Sequence, residues 1–164
     1  MRISTFNVQG CTKQEKQIQL IADMHHYAVD ICMLQETKAS DKTIIVENSK
    51  FKIILKAVKT PSYGMGMILS NHWASKLSHF EYAPQSERIA IAIFSHTNNT
   101  NNNKKFNKSI NVYAPTQQRF KTNTRERELM YDQLEQIIQD TNRFNTELFV
   151  IGDLNSVVGL RRTG

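Results

Sequence analysis

The spacing of apolar positions divides the chain into segments of different period. Arg2 to Asn7 reads as a short opening strand. Between Lys13 and Tyr27, apolar residues recur at spacings of three and four, at Ile18, Ile21, Met24 and Ala28, the mark of an amphipathic helix. Ile31 to Leu34 is a continuous apolar run that ends on Gln35 and Glu36, as a buried strand would. Strand, helix, strand in this order predicts parallel neighbours joined by a helical crossover. The middle of the chain differs. Phe51 to Val58, Met65 to Ser70 and Ile89 to Phe94 read as strands with no helix between them, with Tyr63-Gly64-Met65-Gly66 punctuating one connection. This predicts an antiparallel stretch of sheet.

His96 to Lys108 is rich in asparagine and lysine, with Lys104, Lys105 and Lys108 among them. Such a segment buries little apolar surface, so the expectation is a solvated loop. Ile110 to Ala114 is another strand, stopped by Pro115. Asn123 and Glu126 have capping-box spacing ahead of a long helix, whose inward stripe is Met130, Leu134, Ile137, Ile138 and Thr141. Leu148 to Ile151 is an apolar strand running straight into Gly152-Asp153. No internal repeat or domain linker interrupts the pattern. The fold class expected is α/β (α+β), with a largely antiparallel middle and helices packed outside the sheets.

Length and charge narrow this picture. A chain of 164 residues suits one domain and is short for two. At 40% hydrophobic and 22% charged, its composition is globular rather than disordered. The net charge of +6 favours polyanionic partners, although on charge alone an ordinary basic protein is the leading reading. Two cysteines, Cys11 and Cys32, do not make a disulfide framework, so a reducing compartment is the default. Met1 to Gly10 lacks the basic and apolar regions of a secretory signal. The longest apolar run, Ile89 to Phe94, is far too short to span a bilayer. The expectation is an intracellular protein with no membrane partner.

Chemistry is suggested where polar residues follow apolar strands directly. Gln35-Glu36 and Gly152-Asp153-Leu154-Asn155 both do so, and Asn7 ends the first strand. A carboxylate at the end of a buried strand is costly unless it is paired or metal-bound. Strand ends of this kind are also where α/β proteins place ligand sites. In an extended backbone Asp153 and Asn155 would point to the same side. Two readings stay open from pattern alone: the acids leave the sheet for solvent, or they form a hard-oxygen cluster suited to Mg²⁺.

Six ordered segments carry a resemblance. Phe6-Asn7-Val8-Gln9-Gly10 resembles an N-x-x-G element, and Leu34-Gln35-Glu36-Thr37-Lys38 a Q-E-T element. Tyr63-Gly64-Met65-Gly66-Met67-Ile68 resembles a Gly-rich strand start, and Ser86-Glu87-Arg88-Ile89 an Arg-led strand. Asn111-Val112-Tyr113-Ala114-Pro115-Thr116 resembles an N-x-Y-x-P element, and Gly152-Asp153-Leu154-Asn155 a G-D-x-N element. Together they resemble the endonuclease/exonuclease/phosphatase superfamily. The nearest look is to LINE-type retrotransposon endonucleases and craniofacial-development-protein-like sequences, with apurinic endonucleases further away. The resemblance implies a four-layer α/β/β/α sandwich of the DNase I-like type and Mg²⁺-dependent hydrolysis of DNA, with Mn²⁺ as an alternative ion. It implies that Glu36 holds the metal and that Asn7 sits beside it, orienting phosphate or carboxylate. It further implies that Asp153 positions or deprotonates water and that Asn155 holds a phosphate oxygen. Tyr113 would reach the phosphate through its hydroxyl, and Arg119 would contact the DNA backbone. A retroelement role would place the protein in the nucleus.

Two departures from the pattern bear on these expectations. Gln9 stands where some relatives have an acid. The superfamily's closing S-D-H element, whose His and Asp complete the site, does not occur in these 164 residues. His25, His26, His72, His79 and His96 lie in other contexts, as surface or core histidines. The resemblance thus implies that residues 1–164 are the N-terminal portion of the domain. The second sheet would be incomplete and mostly supplied from beyond Gly164. Uncovered apolar surface costs about 25 cal/mol per Å². On that expectation the fold would need a longer sequence and activity would be impaired. Two alternative functions remain beside DNA hydrolysis: a catalytically inactive remnant with weak nucleic-acid binding, and a phosphodiesterase or phosphatase acting on small or lipid phosphates.

Overall fold

The computed structural model describes residues 1–45, 49–58, 63–97, 104–115, 124–142 and 146–155. The first sheet contains β1 (Ile3–Asn7), β2 (Ile31–Gln35), β3 (Lys42–Ile45), β4 (Phe51–Lys56) and β5 (Met65–Ser70). Its order is β1-β2-β5-β4-β3. β1 runs parallel to β2, joined by helix α1 (Gln14–His26) as the crossover, and the other pairs are antiparallel. The second sheet contains β6 (Leu77–Tyr82), β7 (Ile89–Thr97), β8 (Lys104–Tyr113) and β9 (Glu147–Asp153), in that spatial order. Here β8 runs parallel to β9, joined by helix α3 (Thr124–Asn142). A single-turn helix α2 (Asn71–Ala74) follows β5.

Three apolar clusters define four layers. Leu20, Ile21 and Met24 of α1 pack on Cys32, Leu34, Ile53, Leu55 and Ile68 of the first sheet. Ile31, Met33, Met65, Met67 and Leu69, on the opposite face of that sheet, meet Phe80, Ala90, Ala92 and Phe94 of the second. Met130 and Leu134 of α3 cover Ile89, Ile110 and Val112 on the outer face of the second sheet. The period-two alternation of a strand explains the sorting. In β2, residues 31 and 33 point to the neighbouring sheet while 32 and 34 point to α1, so the strand is buried on both faces and reads as an unbroken apolar run. Each fully buried side chain of this size contributes about 1.5–3 kcal/mol.

Several expectations need correction. The buried face of α1 is Gln17, Leu20, Ile21 and Met24; Ile18 is 49% exposed, and Ala28 is exposed beyond the helix end. The i, i+3, i+4, i+7 stripe exists, but it starts one position earlier because Gln17 joins it, donating its side-chain amide to the Cys11 carbonyl. Strands β3 and β6 and helix α2 are short and mixed in composition, so neither a strand nor a helix period stands out in them. The asparagine-rich segment is not a loop throughout: β7 continues to Thr97 and β8 begins at Lys104. Two long antiparallel strands can extend through polar sequence because each residue keeps its ladder hydrogen bonds, and Asn107 is itself buried. Residues within 77–153 supply four strands of the second sheet, and these cover the first sheet. Among the described residues β9 is the last strand of that sheet, and it is only partly buried, with Val150 41% exposed. Asn123 and Arg119 lie outside the described residues, and Glu126 instead accepts from the buried Arg88 at 2.7 Å, tying α3 to the start of β7. No helix among the described residues is long and apolar enough to cross a membrane.

Gly152 lets β9 lie against β8. Its φ is +151°, and a Cβ there would collide with the backbone of Val112. Gly10 has φ +114° but open space where a Cβ would stand. Gly152→Ala is therefore expected to lower unfolding free energy by about 3 kcal/mol or more, combining overpacking with backbone strain. Gly10→Ala is expected to cost only the strain, about 1–3 kcal/mol. Urea melts of the two variants check this; equal losses would contradict the proposed crowding at Val112.

Candidate active site

Four strands end at one place. In the first sheet, parallel pairing sets Asn7 of β1 opposite Gln35 of β2. In the second, it sets Tyr113 of β8 opposite Asp153 of β9. Parallel strands present the same end to the same side, so both pairs deliver polar residues to the carboxyl edge of the sandwich. Asn7, Glu36, Tyr113 and Asp153 meet there, although they are spread over most of the chain.

The side chains form a connected network. Asn7 Nδ2 donates to Glu36 Oε1 at 2.9 Å and to Asp153 Oδ2 at 3.0 Å. Tyr113 Oη donates to the same Glu36 Oε1 at 2.6 Å. The short length is that expected when a hydroxyl meets a carboxylate. Asn7 Oδ1 accepts from the Gln9 backbone N–H at 3.2 Å. Asp153 Oδ1 accepts from the Asn155 backbone N–H at 3.0 Å, and Asn155 Nδ2 donates to the Ala114 carbonyl at 2.6 Å. Asn155 therefore lies beside Asp153 with one side-chain N–H committed to the end of β8; an amide has a second to offer.

Glu36 is held in an unusual backbone conformation, with φ +54°. A left-handed residue other than glycine costs roughly 1–2 kcal/mol. The turn is pinned on both sides: the Gly10 N–H donates to the Glu36 carbonyl at 2.7 Å, and the Thr37 N–H donates to the Gly64 carbonyl at 2.7 Å. Gly64 is tight against this turn, because a Cβ there would lie 2.5 Å from Thr37 Oγ1.

Electrostatics match the geometry. Burial raises the Glu36 carboxyl, but the hydrogen bonds from Tyr113 and Asn7 and the charge of Lys38 outweigh it, leaving it below its ordinary value. Lys38 Nζ stands 3.9 Å from Glu36 Oε2. Burial and the bond to Glu36 push the Tyr113 phenol well above its ordinary value, with Arg88 opposing. Tyr113 is thus a donor that keeps its proton, and Glu36 an acceptor that stays ionised.

Sequence reasoning gave no role to several residues around this network. Arg88 donates to the Tyr113 carbonyl at 3.3 Å, and its guanidinium lies over the rings of Tyr63 and Tyr113 at 4.2 and 5.5 Å. Gln35 and Asn111 are fully buried and joined to each other. Their available signal was position: Gln35 precedes Glu36, and Asn111 shares the inward face of β8 with Tyr113. Arg119 lies outside the described residues.

The donor set suits a hard divalent cation. Both carboxylates reach the same amide nitrogen, so their oxygens border one small space. Among the described residues no cluster of three His, Cys, Asp or Glu is arranged for a metal. A sparse set of one or two carboxylates is nonetheless how Mg²⁺ is usually held, with water and substrate phosphate completing its shell. Glu36 and Asp153 fit that pattern, and Asn7 would add an oxygen by turning its amide over.

Known proteins place this arrangement in context. The catalytic domain of human Nocturnin, solved with bound sulfate, superposes with a TM-score of 0.58 at 14% identity, over 96% of this chain and 64% of that one. TDP2 from D. rerio, solved with a single-strand DNA product, gives 0.57 at 17% identity, over 94% and 60%. The AP endonuclease LMAP from Leishmania major gives 0.62 at 16% identity, over 92% and 54%. The chain thus spans less than two thirds of these structures, and the likeness is one of fold. No curated protein matches it. The sequence pattern of the Endonuclease/Exonuclease/phosphatase family, however, matches residues 4–163. With the fold, the strand-end cluster and a match over nearly its whole length in agreement, this chain belongs to the Endonuclease/Exonuclease/phosphatase family.

Proposed function

We propose that the chain hydrolyses phosphodiester bonds in DNA with Mg²⁺ as cofactor, Mn²⁺ being an alternative, as an endonuclease of the retroelement type. The observation that carries this reading is the Asn7 amide bridging Glu36 and Asp153, which places two hard carboxylates side by side. The net charge of +6 supports a polyanionic substrate. So does the likeness to TDP2, a structure of which contains a single-strand DNA product.

In this reading Glu36 holds the cation, with Asn7 orienting both carboxylates. The bound ion supplies positive charge against the phosphate and the departing oxygen. Asp153 orients the attacking water and accepts its proton, since its Oδ2 faces the site while Oδ1 is held by the Asn155 backbone. Tyr113 keeps Glu36 ionised and in place, and presents its hydroxyl to the phosphate. Asn155 offers its second side-chain N–H to a phosphate oxygen, a neutral donor where charge develops. Arg119 is proposed as a contact to the DNA backbone.

Plasmid nicking with Mg²⁺ tests the assignment. Glu36→Ala and Asp153→Ala are each expected to lower the rate by about 10²-fold or more. No Mg²⁺-dependent nicking by the unaltered chain, or equal nicking by all three proteins, would contradict the reading.

Tyr113 supplies a pH test. Its phenol is displaced upward from an ordinary value of 10.0, so it should remain protonated throughout the neutral range. The ratio of nicking rates for the unaltered chain and Tyr113→Phe is expected to stay constant from about pH 6 to about pH 9. A ratio that declines above about pH 8 would mean the phenol ionises there, opposite in sign to the expected shift.

A further inference from the structure

The layer between the two sheets is largely apolar, and among its buried polar side chains one amide pair joins the sheets directly. Gln35 and Asn111 are both fully buried, one on each sheet, facing each other across the interface. Gln35 Nε2 donates to Asn111 Oδ1 at 2.6 Å and to Thr5 Oγ1 at 2.8 Å. Asn111 Nδ2 donates to the Leu34 carbonyl at 3.0 Å. One asparagine on β8 therefore grips both the backbone and the side chain of the last two residues of β2.

This polar pair calls for an explanation beyond stability. A satisfied buried amide pair adds little net stability over an apolar pair of similar shape, because both amides give up water to be there. It does restrict geometry, since the bonds fail if either strand slides. A slide of one residue along a strand is about 3.3 Å, more than such bonds tolerate. The residues that follow explain why position matters here. Glu36 comes directly after Gln35, in a left-handed conformation that must be held. Tyr113 comes two after Asn111, on the same inward face of β8. The amide–amide contact and the 2.6 Å Tyr113–Glu36 bond are successive rungs between the same two strands.

We propose that Gln35 and Asn111 are a positioning pair, in which Asn111 clamps the end of β2 so that Glu36 stands at bonding distance from Tyr113 and in register for the phosphodiester. The catalytic half of this statement rests on the nuclease reading above; the geometric half does not. The pair touches no substrate and acts through Glu36 and Tyr113. Without it the sandwich keeps its apolar contacts, while the spacing across the site loosens.

The double substitution Gln35→Met/Asn111→Leu tests this by replacing both amides with apolar groups of comparable size. Its thermal unfolding should remain cooperative. Its kcat on plasmid DNA should fall about tenfold or more with KM little changed, as misplacement predicts. The decisive readout is the Tyr113 hydroxyl proton in the NMR spectrum of the unaltered chain, assigned by its disappearance in Tyr113→Phe. A short bond to a carboxylate holds that resonance downfield, and in the double variant it should move upfield or vanish. An unmoved resonance in the folded double variant overturns the proposal. A moved resonance with unchanged kcat overturns its catalytic half. If the double variant does not fold, Thr5→Val carries the same readout from an exposed position. It should give a smaller upfield move, and no move overturns the proposal. The resonance can be read whether or not the chain nicks DNA, so failure of the nuclease reading and failure of the positioning pair are distinguishable.

Discussion

Two carboxylates side by side repel, and each raises the cost of ionising the other. In this protein the Asn7 amide stands between them, donating one hydrogen bond to Glu36 and another to Asp153. The Tyr113 hydroxyl adds a third bond, again to Glu36. These bonds, with Lys38 nearby, hold the Glu36 carboxyl below its ordinary value despite its burial. Glu36 can then stay ionised beside a second carboxylate, and the chemistry proposed for the site depends on that condition.

The fold supplies the condition through its two parallel strand pairs. Most of the sandwich is antiparallel, which serves packing. The exceptions, β1 with β2 and β8 with β9, are where the site residues lie. Each helical crossover returns the chain in the same direction, so two strand ends per sheet face the same edge. Stacking the sheets then brings the four ends together. The Gln35–Asn111 contact lies directly beneath them, and Gly152 lets β9 approach β8 closely enough for Asp153 to reach Asn7.

Much of this was legible in the sequence, for physical reasons that differ by element. β2 announced itself because burial on both faces produces a continuous apolar run. The α3 stripe was legible because Met130, Leu134 and Thr141 sit at helical spacing and are all buried. The convergence of Asn7, Glu36, Tyr113 and Asp153 was implied by the family resemblance that the ordered motifs carry. Other features left weaker marks. β3 and β6 have mixed composition, and the ladder between β7 and β8 carries polar residues that composition assigns to solvent. Asn107, Asn111 and Gln35 are buried amides, and a buried amide looks like a surface residue until its partner is known. That Asn7 would present its nitrogen rather than its oxygen to the carboxylates could not be read from residue type at all.

The central claim is that Glu36 and Asp153 serve one cation. Titration with Mn²⁺, followed by electron paramagnetic resonance, tests it most directly when run on the unaltered chain, Glu36→Gln, Asp153→Asn and the double variant. One bound ion per chain is expected. Each single variant should weaken it, and the double variant should weaken it by clearly less than the two losses combined, because groups around a shared ion are coupled. Strictly additive losses, or an affinity indifferent to both substitutions, would contradict the account.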